Sequence, residues 1–404
     1  MGPCSPSTAA SSRRGEDVAT VTAVRTVWQE RLDQLREVIL GDIARVDYFG
    51  AVLTVGRGGE VVFAEALGAE DAADEKPLRY DNVFSIFSVT KAFTNVLILK
   101  AIEEGRFALT TKVKDVLPEF TGKPREEATF YHLLTHTAGM PGVWTPKRGM
   151  YLDRLQELFE ASIEHVPGEV PPGTRCDYSP LVNHVLMGTA LVRTDPKGRN
   201  YQTLLHEDLF APLKMDSTSM GLRADLKARH IRPDMRGTVP IQHLSRNLPG
   251  DHALFEDPDV EAPHVGCAST SGDLCRFAEM LRREGELDGV RILSPAMLRL
   301  ARQNHTGEMP NELYKRVAEN AGWEVPPANQ GIGFQVRGTG VFHHLFGTLA
   351  SPETHGNYGA GSTMFWVDPQ RDVSFALCSA GVMTQAANIE RCQKLSDLAL
   401  SAMI

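Results

Sequence analysis

The sequence predicts an α+β fold: an antiparallel sheet flanked by terminal helices, with a large, mainly helical domain inserted between its early and late strands. Three observations predict it. β-Rich runs at 51–55 and 61–64 surround Gly56-Arg57-Gly58-Gly59-Glu60, a hairpin signal. A second pair of runs, 363–367 and 373–377, surrounds Asp368-Pro369-Gln370-Arg371-Asp372 near the other end of the chain. Helical stripes lie outside both pairs, and the stretch between them is rich in turns such as Pro141-Gly142, Pro167-Gly168 and Pro249-Gly250.

In chain order, residues 1–17 are rich in Ser, Pro and Arg and lack the apolar core of a signal peptide, which predicts a disordered tail. Arg13-Arg14 runs into Gly15-Glu16-Asp17, not into the apolar stretch of a twin-arginine signal. Val21, Val24, Trp28, Leu32, Leu35 and Ile39 recur at three- and four-residue steps, the stripe of a helix packing on something flat. The closing stripe is Ile389, Cys392, Leu395, Leu398 and Ala399. Residues 18–95 and 265–404 are therefore assigned to the sheet domain and 96–264 to the helical one, with the active site between them. The stretch 236–263 mixes Pro, His and charge without a period and is expected to be a long surface loop or lid.

Composition narrows the function. The 404 residues carry a formal net charge of -9, which argues against nucleic acid as a partner. No run approaches the ~20 apolar residues of a membrane span. The six cysteines are scattered without a Cys-x-x-Cys pair, so neither a disulfide framework nor a zinc site is expected. Reduced cysteines and the missing export signal predict a cytoplasmic protein, and neither a cofactor nor a metal is expected. His132 and His136 have metal-like spacing, but no glutamate follows His132, and Ala138-Gly139 reads as a turn.

The chemistry centres on Ser88-Val89-Thr90-Lys91, entered by an apolar run and left by an amphipathic one. Three residues are most of a helical turn, so Lys91 lies on the same face as Ser88. An amine there can take the hydroxyl proton, and a helix N-terminus favours negative charge developing beside it. A chain this long shows roughly one Ser-x-x-Lys by chance, so the companions decide its meaning. They are Tyr131-His132-Leu133-Leu134-Thr135-His136-Thr137-Ala138-Gly139-Met140-Pro141, then Pro172-Gly173-Thr174-Arg175-Cys176-Asp177-Tyr178-Ser179, then Ser269-Thr270-Ser271-Gly272-Asp273-Leu274. His355-Gly356-Asn357-Tyr358-Gly359-Ala360-Gly361 follows, ahead of Phe365-Trp366-Val367-Asp368-Pro369.

This succession resembles the class C β-lactamase-like serine hydrolases, which include D-alanyl carboxypeptidases, family VIII carboxylesterases and fungal polyketide transesterases. The resemblance implies a β-lactamase/transpeptidase-like fold and acyl transfer through a serine ester. Ser88 would be the nucleophile, Lys91 its partner, and Tyr178 the phenol that serves as base and then acid. A serine hydroxyl needs such help because it is a poor nucleophile until its proton is drawn off. The third motif would fall on Asn357-Tyr358-Gly359. Ala360 N–H and Ser88 N–H would then form the oxyanion hole, with His355-Gly356-Asn357 as the alternative register. Trp144 and Tyr358 either line an acyl pocket or merely pack.

Two departures bear on substrate. The second motif reads Tyr178-Ser179-Pro180 where the family has Tyr-x-Asn, and the third carries no lysine, leaving His355 as its nearest titratable candidate. Both features serve amide and carboxylate recognition, so their loss points toward esters or thioesters. Tyr80-Asp81-Asn82 does spell Tyr-x-Asn, but it precedes Ser88 and reads as a turn. No Gly-x-Ser-x-Gly elbow occurs, which disfavours an α/β-hydrolase. The expectation is a carboxylesterase or transesterase of small acyl substrates, with an alcohol or a carrier-bound acyl donor as a further partner. Transesterification in secondary metabolism is one form of it. A β-lactamase or D-amino-acid peptidase is the alternative, and an inactive scaffold of the same fold the second.

Overall fold

The computed structural model describes residues 1–2, 27–45, 47–71, 76–234 and 242–404. Helix α1 (Gln29–Ala44) precedes strands β1 (Gly50–Arg57) and β2 (Glu60–Gly68), whose turn is made by Gly58 and Gly59 at φ 63° and 95°. Strand β3 (Val83–Ser85) and helix α2 (Thr90–Glu103) carry the Ser88 segment between them. The middle holds α3 (Val113–Val116), α4 (Phe130–Leu134), α5 (Leu155–His165), α6 (Val182–Arg193) and α7 (Tyr201–Leu205). Short strands β4 (Ser219–Met220), β5 (His230–Ile231) and β6 (Cys267–Ser269) lead to α8 (Ser271–Arg282). The hairpin β7 (Glu286–Leu287) and β8 (Val290–Arg291) precedes α9 (Pro295–Ala301) and α10 (Glu312–Ala321). Strands β9 (Gln335–Val336), β10 (His355–Gly359), β11 (Thr363–Asp368) and β12 (Val373–Ser379) and helix α11 (Gln385–Ser401) complete the chain.

Both chain ends build one antiparallel sheet of order β2-β1-β12-β11-β10-β9, with Leu53 of β1 opposite Leu377 of β12. Strand alternation sends Leu53, Val55, Trp366 and Phe375 to one face, where they pack with Leu32, Leu35 and Ile39 of α1 and Leu395 of α11. The other face, with Val52, Phe365 and Ala376, packs with Leu274, Phe277 and Leu281 of α8. Burying each large side chain is worth roughly 2 kcal/mol. Trp366 is fully buried, its Nε1–H donating to Ser396 Oγ at 3.0 Å. The α+β architecture with an inserted helical region is thus as expected.

Three expectations need correction. α1 begins at Gln29, and Trp28 is 42% exposed rather than core; Val21, Val24 and residues 3–17 of the expected tail, Cys4 among them, lie outside the described residues. The boundary at 95/96 falls inside α2, which is continuous and packs on α6 and α7 of the helical region. The stretch 242–263 is not a surface loop: Leu254, Phe255, Val260 and Ala262 are buried, and Phe255 lies 4.4 Å from the Phe87 ring; the remainder of that loop is outside the described residues. A second sheet, β4-β6-β3-β5, was not anticipated, because strands of two or three residues leave no period to read.

Candidate active site

β3 pairs with β6, and Ile86 N–H extends the pairing to Cys267 O at 3.0 Å. Phe87 then turns the chain at φ 47°, a left-handed value rare for an aromatic residue, and Ser88 follows in a short 3-10 turn. α2 is fastened beneath it by Thr90 Oγ1, which accepts Cys267 N–H at 3.0 Å, and by Thr94 Oγ1, which donates to Pro263 O at 2.8 Å. Lys91 is therefore held on one helical turn with Ser88. Its Nζ lies 3.0 Å from Ser88 Oγ and donates to His264 O at 2.6 Å. Lys91 is 2% exposed, and burial pulls its pKa well below the usual lysine value.

Tyr178 comes from an extended stretch of the helical region. The turn after α4 receives it: Gly173 N–H donates to Thr137 O at 2.7 Å, and Asp177 N–H to His136 O at 3.0 Å. Gly139 in that turn has φ 74°, and a Cβ there would lie 2.1 Å from Val170 O, so glycine is required. Lys91 Nζ is 5.4 Å from the Tyr178 ring centroid. Burial raises the Tyr178 pKa above its usual value; the Ser88 hydroxyl lowers it in part, although the well-aligned bond at Ser88 is the one to Lys91. Tyr178, ninety residues along the chain from Ser88, thus lines the same cleft as Ser88 and Lys91.

β10 passes beside the Ser88 segment at a distance that excludes a side chain. A Cβ on Gly359 would lie 2.3 Å from Ile86 O, and one on Gly361 2.5 Å from the Phe87 ring. Asn357, Tyr358 and Ala360 line the cleft with Ser88. His355 does not: it is buried, its ring 5.4 Å from Phe334 and its Nδ1 3.0 Å from Glu353 O.

The cleft has two lobes that share Ser88, Trp144, Leu313, Tyr358, Ala360 and Gln385. One, of about 250 Å³, is walled mainly by Phe87, Leu152, Pro180, Val265 and Met383, with His243 and His264 also in its lining. The other, of about 40 Å³, holds Lys91, His136, Tyr178, Tyr314, Gln335 and Asn357. Trp144 is 42% exposed at their junction, so it lines the cleft rather than the core. Among the described residues no Asp, Glu or Arg lines either lobe, and Lys91 is the only lysine that does. Burial and Lys91 push the His136 pKa down to about 3, and burial likewise keeps His264 neutral.

Sequence reasoning missed Tyr314, Gln335 and Leu152. Tyr314 reaches the cleft on α10, capped by Asn311 and ended by Gly322 at φ 71°. Those two caps were the available signal. Ser269–Leu274 is structural: Thr270 Oγ1 caps α8 by accepting Asp273 N–H at 3.1 Å. His132 is also structural, completing a capping box with Thr129. Among the described residues no cluster could hold a metal ion, and no helix is long and apolar enough to cross a membrane.

A family model described as Beta-lactamase matches residues 35–391. Penicillin-binding protein 4 of Amycolatopsis lactamdurans is 28% identical over 360 residues, covering 86% of this chain and 88% of that protein. Esterase/beta-lactamase LipL of Mycobacterium tuberculosis is 23% identical over 352 residues, 81% of this chain and 76% of that one. The crystal structure of a family VIII carboxylesterase superposes with a TM-score of 0.73 at 18% identity, covering 91% of this chain and 97% of that one, a likeness of fold.

Proposed function

The chain belongs to the beta-lactamase family, and from that premise we propose that it is a serine acyl hydrolase or acyltransferase. It works as a carboxylesterase or transesterase on a small ester or thioester, through an acyl-serine at Ser88. The observation that carries this reading is the contact of Ser88 Oγ with a buried Lys91, in a cleft that Tyr178 also lines and that, among the described residues, holds no arginine and no second lysine.

Burial depresses the Lys91 pKa, so the amine gives up its proton more readily than a free lysine, and once neutral its lone pair can accept the Ser88 proton while an N–H stays on His264 O. Ser88 Oγ attacks the carbonyl carbon, and the oxyanion faces the N–H groups of Ser88 and Ala360. Losing one such donor typically costs ~3 kcal/mol of transition-state stabilisation. Tyr178, whose raised pKa keeps it protonated, gives its proton to the leaving oxygen and is reprotonated by the Lys91 ammonium. Water or an alcohol then enters the vacated place, and the same transfers run in reverse. Localisation in the cytoplasm belongs to this reading as well.

A β-lactam or D-alanyl peptide presents a carboxylate, which this cleft meets, among the described residues, with no arginine and with Lys91 as its one lysine. The similarity to a penicillin-binding protein favours that second reading. Rapid mixing with a p-nitrophenyl ester decides between them. The expected result is a p-nitrophenol burst equal to the enzyme concentration and an acyl adduct on Ser88 by mass spectrometry. An undiminished Ser88→Ala enzyme, or nitrocefin turnover outpacing ester turnover, would overturn the proposal.

A further inference from the structure

We propose that the polar lobe of the cleft is an acceptor site for a short, neutral, hydroxyl-rich alcohol, and that the apolar lobe takes the acyl chain. This rests on the acyl-serine reading above. Lys91 and Tyr178 line the polar lobe and not the apolar one. The group that hands a proton to the leaving oxygen must stand on the leaving-group side of Ser88. The alcohol, whether departing or arriving, therefore occupies the polar lobe, and the acyl chain is left to the walls formed by Phe87, Leu152 and Val265.

The polar lobe carries two unanswered groups. Asn357 Oδ1 and Gln335 Oε1 are buried without a hydrogen-bond partner. Gln335 is held in place from its other end, its Nε2 donating to the Tyr314 hydroxyl at 2.6 Å. Buried amide groups left unpaired are costly, and a ligand that answers them gains accordingly. A carboxylate offers acceptors only and would oppose both oxygens. An ammonium would stand beside Lys91 with no carboxylate in the lining to balance it. A hydroxyl both donates and accepts, so it satisfies an amide presented by either end. The volume of about 40 Å³ holds only a few water-sized groups, which limits the alcohol to roughly glycerol size.

The transfer balances within the site. The acceptor oxygen bonds to the acyl carbon and the acyl–Ser88 Oγ bond breaks. The acceptor proton passes through Tyr178 and Lys91 to Ser88 Oγ.

The test compares glycerol with propan-1-ol, alcohols with the same number of carbons. The butyryl-enzyme is formed from p-nitrophenyl butyrate, and the ratio of butyrate ester to free butyrate is measured at equal alcohol concentration. Each ratio is taken within one acyl-enzyme, so it does not depend on how much of a variant is folded. Glycerol is expected to exceed propan-1-ol by about tenfold, as for one or two neutral hydrogen bonds. Asn357→Leu and Gln335→Met are each expected to draw the two ratios together. Equal ratios in the native enzyme, propan-1-ol ahead, or a glycerol preference that neither substitution alters would overturn the assignment. Absence of the p-nitrophenol burst would instead remove the acyl-serine reading itself, and this inference with it.

Discussion

His136 holds Tyr178 from both sides. Its carbonyl accepts Asp177 N–H at 3.0 Å, and its ring Nδ1 accepts Ser179 N–H at 3.1 Å. The two rings lie 5.0 Å apart. His136 itself has φ 55°, which brings its carbonyl and its ring to bear on one extended segment. With Nδ1 as an acceptor and the pKa pushed down to about 3, the ring is neutral and carries its proton on Nε2.

His136 is therefore a positioning residue for the phenol. His136→Ala is expected to lower kcat by about 10- to 100-fold with little change in KM, since a misplacement near 1 Å costs that much. His136→Asn, which keeps an acceptor near the Nδ1 position, should recover part of the loss. In a Tyr178→Phe background the His136→Ala loss should nearly vanish, because the two act through one group. Steady-state kinetics of the four proteins reads this directly, and fully additive losses would show that His136 acts elsewhere.

Lys91 and Tyr178 set opposite limits on the pH dependence. Burial depresses the Lys91 pKa and raises that of Tyr178. The amine is a base only when unprotonated, so kcat/KM should rise with pH through a pKa below the ordinary lysine value of 10.5. The phenol is an acid only when protonated, and its pKa lies above the ordinary tyrosine value of 10.0, so the profile should hold its plateau to pH 10. Lys91→Arg keeps the charge but cannot shed it, and should lose about 10³-fold in kcat/KM across the range. A Lys91→Arg enzyme with the native profile would assign the base to Tyr178.

How much of this was legible in the sequence depends on distance along the chain. Ser88 and Lys91 are three residues apart, so helical spacing alone places them together. Tyr178 is found through the order of motifs, because no local pattern says which turn will receive it. The receiving turn is visible as His136 to Gly139, yet its purpose is not, since the bonds to Asp177 and Ser179 exist only after folding. Tyr314 of α10 and Gln335 of β9 meet through a side-chain hydrogen bond between separate elements, which no period in either segment records. Pro180 was read as a lost amide; in the fold it also forms part of an apolar wall.

That wall predicts acyl preference. A lobe of about 250 Å³ accommodates several methylenes, each worth about 0.8 kcal/mol on burial, or about fourfold in kcat/KM. p-Nitrophenyl butyrate and hexanoate should therefore outpace acetate stepwise until the lobe is full. Val265→Phe narrows the lobe and should move the optimum toward acetate. A native enzyme fastest on acetate, with Val265→Phe unchanged, would place the acyl chain outside this lobe.

Gly359 and His355 separate the two registers of the third motif. The approach of β10 to Ile86 O leaves no space for a Cβ at Gly359: it would fall 2.3 Å from that oxygen and 2.6 Å from Thr363 Oγ1. Ile86 O already accepts Thr363 Oγ1 at 2.9 Å, so it has little freedom to retreat. Gly359→Ala should push β10 outward and carry Ala360 N–H away from the carbonyl, lowering kcat by about 10²-fold or more. His355 lies away from both lobes against Phe334, so His355→Gln should cost some stability and leave kcat within a few-fold of native. Melting temperature and kcat measured on the same samples distinguish the two effects. If His355→Gln removes activity while Gly359→Ala keeps it, the oxyanion site belongs to the shifted register and Ala360 has no part in it.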